Sequence, residues 1–194
     1  LHSAAESAPV LVSPSGAISA SDQAVLTYSG PASGEVPLSG GTFTTGALPA
    51  GTYTLSIVSK SGAFPTTTVY GVALAGGQTT SVGTISVAFS GSGMLRLAVH
   101  SCPLMGDANG TAVVRLYPGV NSAGVVGAAY TFTIPFGTLN ALTPVAYGIY
   151  TMTITAQSTG GTSQACAVYS TSLAHSWATP DGTTTVPLIE LRNP

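Results

Sequence analysis

Residues 51–57 read Gly-Thr-Tyr-Thr-Leu-Ser-Ile, with Thr52, Thr54 and Ser56 in one phase and Tyr53, Leu55 and Ile57 in the other. A period of two is that of a strand with one wet face and one packed face. The same alternation runs through Tyr130–Ile134, Tyr150–Ile154 and Val82–Val87. No segment keeps apolar residues at helical spacing for three turns without Gly or Pro, so very little helix is expected.

The strands recur in order. Gly51-x-Tyr53-Thr54-Leu55-Ser56-Ile57 returns as Gly148-x-Tyr150-Thr151-Met152-Thr153-Ile154, a shift of 97. Thr79-Thr80-Ser81-Val82-x-x-Ile85-x-Val87 matches Thr183-Thr184-Thr185-Val186-x-x-Ile189-x-Leu191 at 104, and Val25-Leu26-Thr27-Tyr28 matches Val114-Arg115-Leu116-Tyr117 at 89. Internal repetition of this kind points to duplicated units. The growing offset places insertions of about seven or eight residues in the loops of the second copy. The expected fold class is all-β, as two tandem immunoglobulin-like or transthyretin-like β-sandwich domains. The first covers residues 1–89 and the second 94–194, with Ser90-Gly91-Ser92-Gly93 (90–93) as a short linker.

Composition narrows the function. Of 194 residues only 5% are charged, with four Lys+Arg and a net charge of −2. Four cations are too few to neutralise a phosphate backbone, which excludes nucleic acid as a partner. The composition is not that of a coiled coil, and a mean hydropathy of +0.44 argues against charge-driven disorder. Residues 116–180 carry no Lys, Arg, Asp or Glu, yet Thr, Ser, Gly and Pro recur too often for a spanning helix, so no membrane span is expected in the mature chain. The strands also read as too short and too often broken for an outer-membrane barrel. A start at Leu1 suggests a removed secretion signal and a secreted, cell-surface location.

Cys102 and Cys166 suit an oxidising compartment as a disulfide, with two buried free thiols as the alternative. No CxxC spacing or acid-rich loop indicates a metal or other cofactor. His2, His100, His175 and the six acids show no nucleophile elbow, so no catalytic residue and no enzyme is expected. Asn109-Gly110-Thr111 is a glycosylation sequon that doubles as a turn. Trp177 with His175 and Tyr169 is a candidate sugar-stacking platform, against the plainer reading of Trp177 as an anchor under its own loop. Lys60 is the only lysine. With so little charge, sheet edges are either covered by loops and Pro or meant to pair with another subunit.

Leu48-Pro49-Ala50-Gly51-Thr52-Tyr53-Thr54-Leu55-Ser56-Ile57 followed by Tyr70-Gly71-Val72-Ala73-Leu74-Ala75-Gly76-Gly77-Gln78-Thr79-Thr80 resembles the carboxypeptidase regulatory-like, transthyretin-related domains of secreted surface proteins. In the second copy Pro144-Val145-Ala146-Tyr147-Gly148 replaces the Leu-Pro-Ala-Gly turn. The resemblance implies a modular structural or adhesive role.

The function these features favour is a secreted structural subunit that polymerises with itself into an extracellular filament or pilus-like appendage. Two β-domains supply sheet edges, and strand addition makes directional main-chain contacts. Val10, Leu11 and Val12 form a short apolar strand, to be donated to a neighbour or kept as the first strand of its own domain. The alternatives are an adhesin or carbohydrate-binding module taking surface glycans, and a virion surface or tail protein.

Overall fold

The computed structural model describes residues 10–15, 18–87, 91–95, 97–101, 110–136, 138–139, 141, 143–158, 165–169, 175–177 and 183–191. Two compact units emerge, Leu1–Ser90 with Gly119–Asn121, and Gly91–Pro118 with Ser122–Pro194. Among the described residues, apart from a 3-10 turn at Ala20–Asp22, every regular element is a strand. In the first unit these are β1 (Val10–Ser15), β2 (Ala24–Ser29), β3 (Gly34–Pro37), β4 (Phe43–Thr44), β5 (Gly51–Ser59), β6 (Thr67–Leu74) and β7 (Thr80–Ser86). The second unit holds β8 (Ser92–Leu95), β9 (Leu97–Ser101), β10 (Gly110–Pro118), β11 (Tyr130–Pro135), β12 (Thr138–Leu139), β13 (Thr143–Ala146), β14 (Gly148–Ser158), β15 (Ala165–Tyr169), β16 (His175–Trp177) and β17 (Thr183–Leu191).

Each unit is β-sandwich-like, built on a four-stranded antiparallel sheet. In the first unit its order is β3-β2-β5-β6, and the second sheet is β4-β1-β7. The alternation expected for β5 is obeyed: Tyr53, Leu55 and Ile57 are each 1% exposed, and the hydroxyl residues between them lie on the wetter face. The core forms where this apolar face meets Val10, Phe43 and Ile85 of the second sheet. In the second unit the order is β11-β10-β14-β17. Ala112, Val114, Leu116, Phe132, Ile134, Met152 and Ile154 from this sheet pack with Leu97 of the β12-β9-β15-β16 sheet and with Leu95 and Val145 of the β8–β13 pair.

The ladder registers relate the main sheets of the two units and correct two of the sequence matches. Ile57 pairs with Leu26 and Ile154 with Val114, so Leu26 corresponds to Val114 at a shift of 88. The match at 89 is one residue off, and a slip of one moves every side chain to the opposite face. Strand β17 pairs with β14 as β6 pairs with β5, and both pairings carry the same bulge. Tyr53 pairs with Val72 and Leu55 with Val69, while Tyr150 pairs with Ile189 and Met152 with Val186. The counterpart of β17 is therefore β6, at a shift of 117, and not β7, which runs parallel to β1 in the other sheet. Between the β5/β14 match and this one the offset grows by 20 residues at a single place. There the second unit carries the β15–β16 hairpin, where β15 lies beside β9.

A second shared device fixes the turn before each central strand. The Tyr53 hydroxyl donates to the Pro49 carbonyl at 3.0 Å, and that of Tyr150 to the Ala146 carbonyl at 2.9 Å, four residues upstream in both cases. Each ring also meets a second tyrosine edge-on, Tyr28 at 6.4 Å and Tyr130 at 6.1 Å. Tyr53→Phe and Tyr150→Phe are each expected to cost about 1 kcal/mol, since each leaves a carbonyl without its donor. Urea unfolding of the two variants checks this, and an unchanged midpoint in both would contradict it.

Candidate functional site: the open edge and outer face of the second unit's main sheet

Strand β11 stands at the end of its sheet, antiparallel to β10 with Thr111 opposite Pro135 through to Leu116 opposite Tyr130. The Phe136 amide donates to the Gly110 carbonyl at 3.0 Å, which marks the even-numbered positions as those bonded inward. In an antiparallel ladder the intervening residues then turn their main-chain groups outward. Thr131 and Thr133 thus present N–H and C=O to the open side, whereas the Pro135 carbonyl already accepts from the Thr138 hydroxyl at 2.8 Å. The strand contains no charged residue, and its pairing with β10 runs without a register shift.

The other edges among the described residues are blunted, in the two-stranded β13–β8 pair by the four-residue length of β8 and by Pro144 of β13. Strand β3, the counterpart of β11, has four residues and carries Glu35 and Pro37. The Glu35 carboxylate accepts from Lys60 Nζ at 2.6 Å, and with both side chains about half exposed the pair adds little stability. At the opposite edge of the first unit's main sheet, Val120 bridges Val69 beside β6. Strand β7 carries a register shift against β1. In β17, Pro187 and Leu188 stand opposite the single Thr151 at the bulge. Strands β4, β12 and β16 have only two or three residues. Short strands, charge, proline and bulges are the usual protections of an edge, and β11 has none of them before its final Pro135.

The start of β11 is anchored. The Tyr130 hydroxyl accepts from the Ala146 amide at 3.0 Å, beside the carbonyl that Tyr150 bonds. Burial pushes the Tyr150 hydroxyl from 10.0 up to about 12, with Tyr130 adding to the shift. A phenol whose pKa is raised by folding holds its proton more tightly folded than unfolded. Its stabilisation is complete below the unfolded value of 10.0 and is lost as pH rises through about 12. Circular dichroism is therefore expected to show the second unit losing stability between these two values, with a smaller loss in Tyr150→Phe.

The outer face of this sheet is lined with hydroxyls. By register Thr131, Arg115, Thr153 and Thr185 form one cross-strand row and Thr133, Val113 and Thr155 the next, with Thr131, Thr133 and Thr185 exposed and Thr153 buried. Farther along, Thr151 Oγ1 accepts from the buried Ser122 amide at 2.9 Å, and the Ser122 hydroxyl donates to the Tyr117 carbonyl at 2.9 Å.

The residues singled out in the sequence lie elsewhere. Val10, Leu11 and Val12 are in β1, between β4 and β7 of their own unit; Val10 is fully buried, and its amide donates to Thr45 Oγ1 at 2.9 Å. Donating this strand to a neighbour would require undoing that ladder. Cys102 and Asn109 fall outside the described residues, and Cys166 pairs through its backbone with His100 and Trp177. In β16, Trp177 pairs with Cys166 and His175 with Val168, whereas Tyr169 pairs with Leu97. Position 169 is one residue out of phase with 175 and 177 along these ladders. Among the described residues no group of three or more His, Cys, Asp or Glu is placed to hold a metal ion, and no helix is long and apolar enough to cross a membrane. The open edge escapes sequence reading because which strand ends a sheet is a property of its pairing.

No family model and no curated protein matches the chain. Among solved structures it is similar to the Bacillus anthracis TIE protein (14% identity, TM-score 0.32), covering 97% of this chain and 32% of that one, so it spans about a third of that protein's length. It is also similar to a DUF3823 family protein from Parabacteroides merdae (13%, TM-score 0.33, covering 97% and 100%). A candidate carbohydrate binding protein from Bacteroides uniformis follows at 10% and TM-score 0.34, covering 96% and 100%. These scores are too low to identify a shared fold.

Proposed function

We propose that the protein is a structural subunit of an extracellular surface that self-assembles by strand addition at β11. The supporting observation is the contrast between the uncharged, uninterrupted edge of β11 and the blunted edge of its counterpart β3. Outward N–H and C=O groups at Thr131 and Thr133 offer a neighbour's strand a directional template. Near-absence of charge lets two copies approach without stripping water from ions, a costly step. An asymmetric contact that does not close on itself yields a filament.

In this reading the two units are tandem immunoglobulin-like copies of one sandwich, supported by the shared strand order, bulge and tyrosine bond. Their relation to the transthyretin-related domains of secreted proteins, the Cys102–Cys166 cross-link and an extracellular location belong to the same proposal. It assigns no catalytic step and no cofactor. Electron microscopy of the purified chain, with sedimentation over a range of concentrations, tests it. Regular unbranched filaments are expected, and a monomer at all concentrations overturns the assembly reading.

A further inference from the structure

Arg115 sits in β10, a central strand, and is half-buried on the sheet's outer face. It is one of four cations in the whole chain. Among the described residues its guanidinium has no ion-pair partner, the one ion pair being Lys60 with Glu35. The positions directly across from it are Thr131 and Thr153, and Val113 and Tyr117 lie two residues away along the strand.

The fold does not require this cation. By register Thr27 occupies the corresponding place in the first unit, where its hydroxyl donates to the Ser56 carbonyl at 3.3 Å, and Ser56 Oγ meets Thr68 Oγ1 at 2.8 Å. That row satisfies its own hydrogen bonds. The second unit keeps the threonine frame but replaces its centre with an unpaired fork of five donors.

We propose that this face binds a carboxylate-bearing saccharide, with Arg115 holding the carboxylate in a two-point contact and the exposed Thr131 and Thr133 meeting ring hydroxyls. A guanidinium matches a planar carboxylate in geometry as well as charge. The exposed Thr131 and Thr133 on the neighbouring strand add hydroxyls and methyls without a competing charge, which suits the mixed polar and apolar surface of a sugar ring. From Val113 to Tyr117 and across three strands the patch measures about 14 by 10 Å. A single cation selects one carboxylate rather than a polyanion. This inference stands apart from the assembly reading, because it concerns the sheet's face and not its edge.

The test titrates the full chain at low salt with trigalacturonate and with the same trisaccharide methyl-esterified, followed by calorimetry and amide shifts. The acid form is expected to bind at least about tenfold more tightly than the ester, with shifts centred on residues 113–117, 131 and 153. Arg115→Thr, the residue the first unit carries there, should lower affinity for the acid form by at least about tenfold while its thermal unfolding stays unchanged, and Arg115→Lys should retain part of it. No binding of the acid at millimolar concentration, equal binding of acid and ester, or full affinity in a folded Arg115→Thr chain would each overturn the proposal.

Discussion

Thr133→Pro is expected to abolish filament growth while leaving the second unit folded. The Thr133 amide points to the open side of β11, so proline there removes no bond to β10, and Pro135 already occupies an equivalent outward position two residues on. Proline is tolerated on an edge when its missing N–H faced solvent. A neighbour's strand would lose one of two outward donors and meet the ring instead. Thr131→Lys provides a second variant, placing charge on the same edge. Both chains should remain monomeric by sedimentation where the unaltered chain forms filaments, with a thermal midpoint within a few degrees of it. Filaments of normal length from both folded variants would move the subunit contact away from β11.

Leu116→Ala is expected to give the largest loss of stability, about 2 to 5 kcal/mol, and to confine it to the second unit. Leu116 is fully buried among Ala112, Val114, Phe132 and Met152, and truncation would leave a cavity in a rigid sheet interior. The first unit's core is a separate cluster around Leu26, Tyr53, Leu55 and Ile57. Calorimetry should therefore show one transition displaced downward and the other in place. Displacement of both together would mean that the two cores do not unfold independently.

Much of the strand content could be read from alternation alone. The phases of Tyr53, Leu55 and Ile57 and of Phe132 and Ile134 are those found buried, because a sheet with one wet face writes its period directly into the residues. The longest internal match, Gly51–Ile57 against Gly148–Ile154, is also the pair of central strands β5 and β14. The shorter matches failed for a physical reason. Strands built from Thr, Val and Ser resemble one another at several offsets, and only the hydrogen-bonded ladder tells Leu26 from Val25 as the partner of Ile57. Thr-rich β17 resembles β7 in composition but occupies the place of β6. Nearness in sequence likewise leaves open the register of Tyr169, which pairs with Leu97, against that of His175 and Trp177, which pair with Val168 and Cys166.

By itself the amino-acid order determined that this chain is a β protein poor in ions, with a duplicated central strand and one apolar face per sheet. Those are local properties, carried by side-chain size, polarity and period. Tertiary structure alone decided which strands end a sheet, β11 and β3 among them, and that Arg115 has no anion beside it among the described residues. Each depends on which distant segments lie side by side, and a two-residue period leaves that choice of partner and register to the packing of the whole sheet.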